Sequence, residues 1–221
     1  MLPGHPRILK CPHCGGEKPV LSLISGNTIH GRQWSDTKGE YPMLPRVSSI
    51  QKCPHCGKYY FTAAAGRRRS QEGYGGETGQ LDYQHALEAF RQLDPETRSR
   101  NLREQMLLEL LWAWNDHFSR RGENVPSEED LAVFRSCADE LIGIRTTRNV
   151  RSFFGRKKEE TVPPDLLCCE LYRECGRFNE CLEALAGLKP TLDENVLKVA
   201  VQIESHAREG DSKVFVLKFG D

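Results

Sequence analysis

Two copies of Cys-Pro-His-Cys-Gly, at 11–15 and 53–57, hold the residues best equipped for chemistry in this 221-residue chain. Four thiolates are soft, negatively charged ligands that suit zinc, completing a tetrahedron with Zn–S distances of about 2.3 Å. The glycine that ends each copy has its own reason. A loop that turns its backbone N–H groups toward the sulfurs ends in positive φ, which Gly15 and Gly57 permit. Two such knuckles on adjacent hairpins make a zinc ribbon, so Cys11, Cys14, Cys53 and Cys56 are predicted to hold one structural zinc ion. Other chemistries fit less well. A redox Cys-Pro-His-Cys pair sits at a helix N-terminus after a strand, whereas here Gly follows each pair and an extended segment follows Cys56. A catalytic zinc keeps one coordination position open, and four cysteines leave none. His13 and His55 lie inside the knuckles, between better-placed sulfurs.

Thirty-eight residues separate Cys14 from Cys53, more than a minimal ribbon hairpin needs. One reading is an elaborated hairpin in which Trp34 covers the small core and Asp36 caps a turn. The other is that Asn27, His30, Trp34 and Asp36 line a recognition surface, because an aromatic beside polar groups suits a partner protein or small ligand. An enzyme built on this loop would need His30 and Asp36 in one pocket with perturbed ionisation.

The order Cys-Pro-His-Cys, Leu-Ile-Ser-Gly-Asn-Thr, Trp-Ser-Asp, Pro-Met-Leu-Pro, Cys-Pro-His-Cys-Gly resembles a bacterial group that pairs a zinc ribbon with a helical, often tetratricopeptide-like, C-terminal region. The resemblance covers residues 8–62. It implies that architecture and a bacterial cytosolic setting, and it implies no activity.

The elements that must position these residues follow from pattern. Short extended pieces at 7–10, 19–24, 47–52 and 59–62 are broken by Gly and Pro, and so small a β-rich module needs a staple such as a metal. Residues 66–80 read as a Gly/Arg-rich linker, since glycine at that density disfavours both helix and strand. From 81 to 221 the apolar spacing is helical, with helices expected near 83–93, 97–119, 128–142, 165–175, 178–188 and 192–208, and a terminal strand at 213–217. Asp165–Leu188 resembles a tetratricopeptide repeat: small Cys169 and Cys181, with Tyr172, Gly176, Phe178, Leu185 and Leu188, suit two interlocking antiparallel helices. Tyr83, Ala86 and Phe90 look like part of another such unit. The same packing role accounts for Cys169 and Cys181 without a second metal. Trp112 and Trp114 point in different directions on one helix, so one is expected in the core and the other at a groove or interface. The predicted class is therefore α+β: a zinc ribbon at 1–65, a linker at 66–80 and an all-helical, tetratricopeptide-like bundle at 81–221.

Charge bounds the partners. The 31 basic and 31 acidic side chains balance, but residues 1–80 carry 11 against 5 and the remainder 20 against 26. Arg67, Arg68 and Arg69, and the run Arg145, Arg148, Arg151, Arg156, Lys157 and Lys158 around Phe153-Phe154, could contact phosphates and stack bases. A zero balance and an acidic helical half point instead to solvated loops. No apolar run is long enough to span a membrane, and the first residues lack the apolar core of a signal peptide, so a cytosolic protein is expected, where paired cysteines bind metal rather than form disulfides. The leading functional expectation is a non-enzymatic adaptor with a protein partner, with nucleic-acid binding and an enzyme of the 27–36 loop as alternatives.

Overall fold

The computed structural model describes all residues but 72, 74–75, 95–98, 121–123, 152–156 and 220–221, and for 148–151 and 157–160 it describes the backbone alone. The chain is α+β and divides into two compact units, Met1–Arg32 with Gly39–Ala113, and Gln33–Lys38 with Trp114–Asp221.

In the first unit, β2 (Arg7–Lys10) turns through the first knuckle into β3 (Glu17–Val20), and β7 (Ile50–Lys52) turns through the second into β8 (Tyr59–Phe61). Both pairs are antiparallel. Short pairs form between β1 (Leu2–Pro3) and β4 (Leu23–Ser25), and between β5 (Arg32–Gln33) and β6 (Gly39–Glu40). Side chains alternate along a strand, which explains why all of Tyr-Tyr-Phe in β8 is buried. Tyr60 faces Leu9, Cys11, Val20 and Cys53. Tyr59 and Phe61, with Ile50, face the opposite way and pack on helix α1 (Tyr83–Leu93) and on Met106 of α2 (Arg100–Asn115). The small hairpin is thus covered on both sides.

Two expectations change here. Residues 66–69 are not linker but strand β9 (Gly66–Arg69), paired antiparallel with the free edge of β2. An edge strand leaves a row of unpaired N–H and C=O groups, and β9 satisfies them. Of the glycines that follow, Gly76 serves a close approach: it has φ 129, and a Cβ there would lie 2.5 Å from the carbonyl carbon of Val20, where Leu21 N–H donates to the Glu77 carbonyl. Helix α1, expected in the helical module, belongs to the first unit. Its residue Gln92 uses its side-chain amide like a neighbouring strand, accepting from the Tyr59 N–H and donating to the Tyr59 carbonyl, both at 3.1 Å. Helix α2 is tied in by the buried Glu109, which accepts from both Arg46 nitrogens and from the backbone and hydroxyl of Ser49. Arg46 also lies 4.4 Å above the Trp112 ring.

The second unit opens with a π-helical turn, Asp116–Arg120, continuing α2. Helix α3 (Glu128–Thr146) starts at a capping box between Ser127 and Asp130. Helices α4 (Leu166–Glu174), α5 (Phe178–Leu188) and α6 (Glu194–Arg208) form a second core of Cys169, Cys181, Leu185, Ala200, Ile203 and Ala207. Gly176, at φ 74, ends the turn after α4. Burial pushes the thiols of Cys168, Cys169 and Cys181 up to about 12, so they behave as small apolar groups rather than nucleophiles. Trp114 is core, packed on Phe118 and Phe134 at ring distances of 4.9 and 4.3 Å.

This half is not all-helical. Strands β10 (Thr147–Arg151) and β11 (Lys157–Thr161) form an antiparallel hairpin whose register sets Arg148 opposite Glu160. The basic run read from sequence stopped at Lys158, and the register sets the two glutamates that follow, Glu159 and Glu160, opposite Asn149 and Arg148. Its Phe153, Phe154 and Arg156 lie outside the described residues, and so do the side chains of Arg148, Arg151, Lys157 and Lys158. Residues 213–217 form no regular strand. They clasp the Trp34–Lys38 turn instead, through Ser35 N–H to the Phe215 carbonyl (2.9 Å), Leu217 N–H to the Gln33 carbonyl (2.8 Å) and a bridge between Trp34 and Val216.

Candidate metal centre

Each cysteine pair sits in a tight loop fixed by its own backbone. Gly15 N–H donates to the Cys11 carbonyl (2.9 Å) and Gly57 N–H to that of Cys53 (3.0 Å). Both glycines take positive φ, 72 and 71, as the sequence required. The flanking strands then bring the loops face to face, and the sulfurs of Cys11, Cys14, Cys53 and Cys56 all lie within 4.8 Å of one another. Across the loops, Cys11 to Cys56 measures 3.9 Å and Cys14 to Cys53 measures 3.6 Å. A tetrahedron of sulfurs about 2.3 Å from its centre has edges of about 3.8 Å. The separations bracket that edge, and the four cysteines form a site that fits a metal ion. Among the described residues no other group of His, Cys, Asp or Glu comes together in this way.

The electrostatics agree. Burial opposes ionisation of Cys53, but the N–H groups of Cys56 and His55 and the nearby thiols outweigh it and bring the thiol down to about 6. At Cys14 the Gly16 N–H favours the thiolate, but desolvation and the Cys56, Cys53 and Cys11 sulfurs push it up to about 12. Crowded thiols cannot all ionise at neutral pH without a cation. Cys11 and Cys53 are buried, while Cys14 and Cys56 reach the surface.

The knuckle histidines are not ligands. His13 Nε2 lies 3.2 Å from the Tyr59 carbonyl and His55 Nε2 lies 3.1 Å from the Glu17 carbonyl, so each knuckle braces the strand that leaves the other. A carbonyl only accepts, which fixes the proton on Nε2 in both rings. Gly16, which sequence reasoning passed over, makes this fit: a Cβ there would lie 2.3 Å from the His55 ring. The signal was the Gly-Gly that ends only the first copy.

The candidate recognition residues are not brought together as one set. Asn27 and His30 are exposed in the first unit, and Asn27 Oδ1 accepts from the Ile29 N–H. Trp34 and Asp36 belong to the second, where Asp36 is buried. Its carboxylate accepts from Asn115 Nδ2 (2.9 Å), from the Lys38 N–H (3.1 Å) and from Arg120, whose guanidinium lies 4.9 Å above the Trp34 ring. Arg67, Arg68 and Arg69 are all exposed on β9, and Arg68 is held by Glu17 through two bonds.

Asn115 also donates to Glu174 (2.9 Å), whose other oxygen, Oε1, is enclosed without a partner. Burial, then the charges of Glu170 and Asp36, outweigh Arg173 and raise the Glu174 carboxyl well above its ordinary range. Burial likewise outweighs Arg120 and raises Asp36. The folded chain therefore binds more protons than the unfolded chain between the ordinary carboxylate range and these raised values, and stability falls as pH rises through that window. Glu174→Gln is expected to raise the melting temperature at pH 7 and to lose that advantage near pH 4. Thermal denaturation over a pH series checks this, and a variant that melts lower at pH 7 contradicts it.

No helix among the described residues is long and apolar enough to cross a membrane. No protein-family model, curated protein or solved structure matches the chain.

Proposed function

We propose that the protein is a non-enzymatic binding protein whose first unit is held by one structural zinc ion and presents a surface to another protein. The zinc reading rests on the convergence of the four cysteine sulfurs. The α4–α5 hairpin, with Cys169 and Cys181 buried between its helices, supports reading this region as tetratricopeptide-like.

One observation carries the binding role. The long spacer between the knuckles leaves apolar side chains in water, with Ile24 67% exposed and Leu44 41% with Met43 next to it in sequence, and the N-terminal Leu2 is 53% exposed. The β1–β4 pair sets Leu2 opposite Ser25, next in sequence to Ile24. The backbone at Gly26 also runs so close to Met43 and Leu44 that a Cβ there would lie 2.2 Å from the Met43 carbonyl. Scattered apolar residues on a surface are ordinary, but a contiguous group marks a contact surface. The aliphatic character of the group suits an apolar face of a partner protein.

Affinity purification from the native cell, with wild type compared against Ile24→Asp and Leu44→Asp, tests this. The expected result is a reproducible protein partner that both variants lose while their melting temperatures hold. A partner retained by both variants, or no reproducible partner, contradicts the reading.

A further inference from the structure

The three-stranded sheet β3–β2–β9 concentrates positive charge on one face. The register sets Arg7 opposite Arg69 and Leu9 opposite Arg67, and on the other side of β2 it sets Val20 opposite Arg7. Residues paired across strands, or two apart along one strand, share a face, so Arg7, Arg67 and Arg69 project on the same side as Leu9 and Val20. Like charges directly opposite on an antiparallel pair destabilise it. Arg68, on the reverse face, is neutralised by Glu17. Among the described residues, Arg7, Arg67 and Arg69 have no ion pair. The nearby Glu77 carboxylate is engaged with Lys18 at 3.7 Å.

A small cavity of about 70 Å³ opens on this face, lined by Arg7, Arg67, Ser48, Thr62 and the apolar Leu9, Val20 and Val47. That is several times the ~10–15 Å³ that one ordered water needs. Its polar groups are donors with capacity to spare. Arg67 gives one N–H to the Thr62 carbonyl at 2.9 Å, which steadies a guanidinium that carries five. The Ser48 hydroxyl accepts from the Ile50 N–H at 3.2 Å, which leaves its own proton available to donate. Among the described residues, no carboxylate lines the cavity.

We propose that this cavity binds the phosphate group of a ligand, with Arg7 and Arg67 as paired guanidinium contacts, Ser48 and Thr62 as hydroxyl donors, and Arg69 supplying charge at the rim. A tetrahedral oxyanion matches guanidinium forks and hydroxyls converging from several sides, and its negative charge relieves the Arg7–Arg69 repulsion. The phosphate belongs either to a small phosphorylated molecule or to a nucleic-acid backbone. The inference stands apart from the apolar surface described above, which uses different residues.

Calorimetric titration of the full-length, zinc-loaded chain decides it, with inorganic phosphate and with a single-stranded oligouridylate as probes. Saturable binding is expected for inorganic phosphate. Arg7→Gln and Arg67→Gln should each weaken it by about tenfold or more, since each removes a charge-assisted contact, while Arg32→Gln on β5 leaves it unchanged. All three positions are exposed, and matching melting temperatures and zinc content confirm that the variants fold. If the oligonucleotide binds more tightly than phosphate, with an affinity that falls steeply with salt, the phosphate comes from a nucleic-acid backbone. Equal or weaker oligonucleotide binding assigns a small phosphorylated ligand. No saturable binding of either probe, or binding that survives both Arg7→Gln and Arg67→Gln, overturns the proposal.

Discussion

Cys53→Ser is expected to unfold the first unit while the second keeps its helices. Folding free energy released by a structural zinc, about 10–16 kcal/mol in small zinc-finger peptides, is as large as the whole stability of a typical domain, about 5–15 kcal/mol. The first unit has little else to rely on around the knuckles. Its inner cluster is Leu9, Val20, Tyr60 and Ala65 closed over the two buried cysteines, and the Tyr60 hydroxyl is enclosed there without a partner. Hydrogen exchange reads the outcome element by element. Protection should vanish from β2, β3, β7, β8 and β9 and persist in α4, α5 and α6. Cys175→Ser, outside the sulfur cluster, should leave both units protected. A Cys53→Ser chain that retains protected ribbon strands contradicts the expectation.

Glu170→Ala is expected to destabilise the second unit by about 3–5 kcal/mol, the usual consequence of leaving one member of a buried ion pair uncompensated. Both Glu170 and Arg173 are wholly buried on α4 and share two hydrogen bonds, 2.8 and 2.5 Å. Burial disfavours the Arg173 charge, but Glu170 outweighs it and holds the guanidinium above its ordinary value. Arg173 also donates to the Asp211 carbonyl and lies 5.1 Å above the Phe215 ring, so it ties α4 to the segment after α6. The double variant Glu170→Leu/Arg173→Met should recover most of the loss, because the desolvation of both charges disappears together. Urea denaturation of the two single variants and the double gives the coupling. A Glu170→Ala loss below about 1 kcal/mol would show that water reaches the pair.

How much of this was legible in the sequence depends on how local each signal is. The knuckles were fully legible: four cysteines and two glycines at fixed spacing specify a loop, a φ and a ligand set, and the sulfurs converge as the spacing implied. The helices α3 to α6 were legible within a few residues from apolar period, with an N-cap signal at Ser127 for α3. What failed was long-range pairing. Nothing within Gly66–Arg69 says that the edge of β2 lies beside it, so three arginines between glycines read as linker when they are a strand. The same blindness put α1 in the helical module, because its apolar face says that it packs but not on what. Glu170 and Arg173 are three apart on a helix, a local pattern that does not mark them as buried, and only Phe215 and Asp211, about forty residues on, reveal their burial. Asp36 is the clearest case. It suggested a recognition loop by being polar beside Trp34, yet Asn115 and Arg120, from a distant helix and its π-turn, are what it binds.

The central claim, one zinc ion held by four cysteine sulfurs, is tested most directly by metal analysis of the purified full-length chain followed by cobalt substitution. The account predicts about one zinc per chain and, with cobalt in its place, the intense thiolate-to-metal absorption of a tetrahedral four-sulfur site, absent from Cys53→Ser. Metal-free protein whose first unit is still folded, or a cobalt spectrum unchanged in Cys53→Ser, would contradict it.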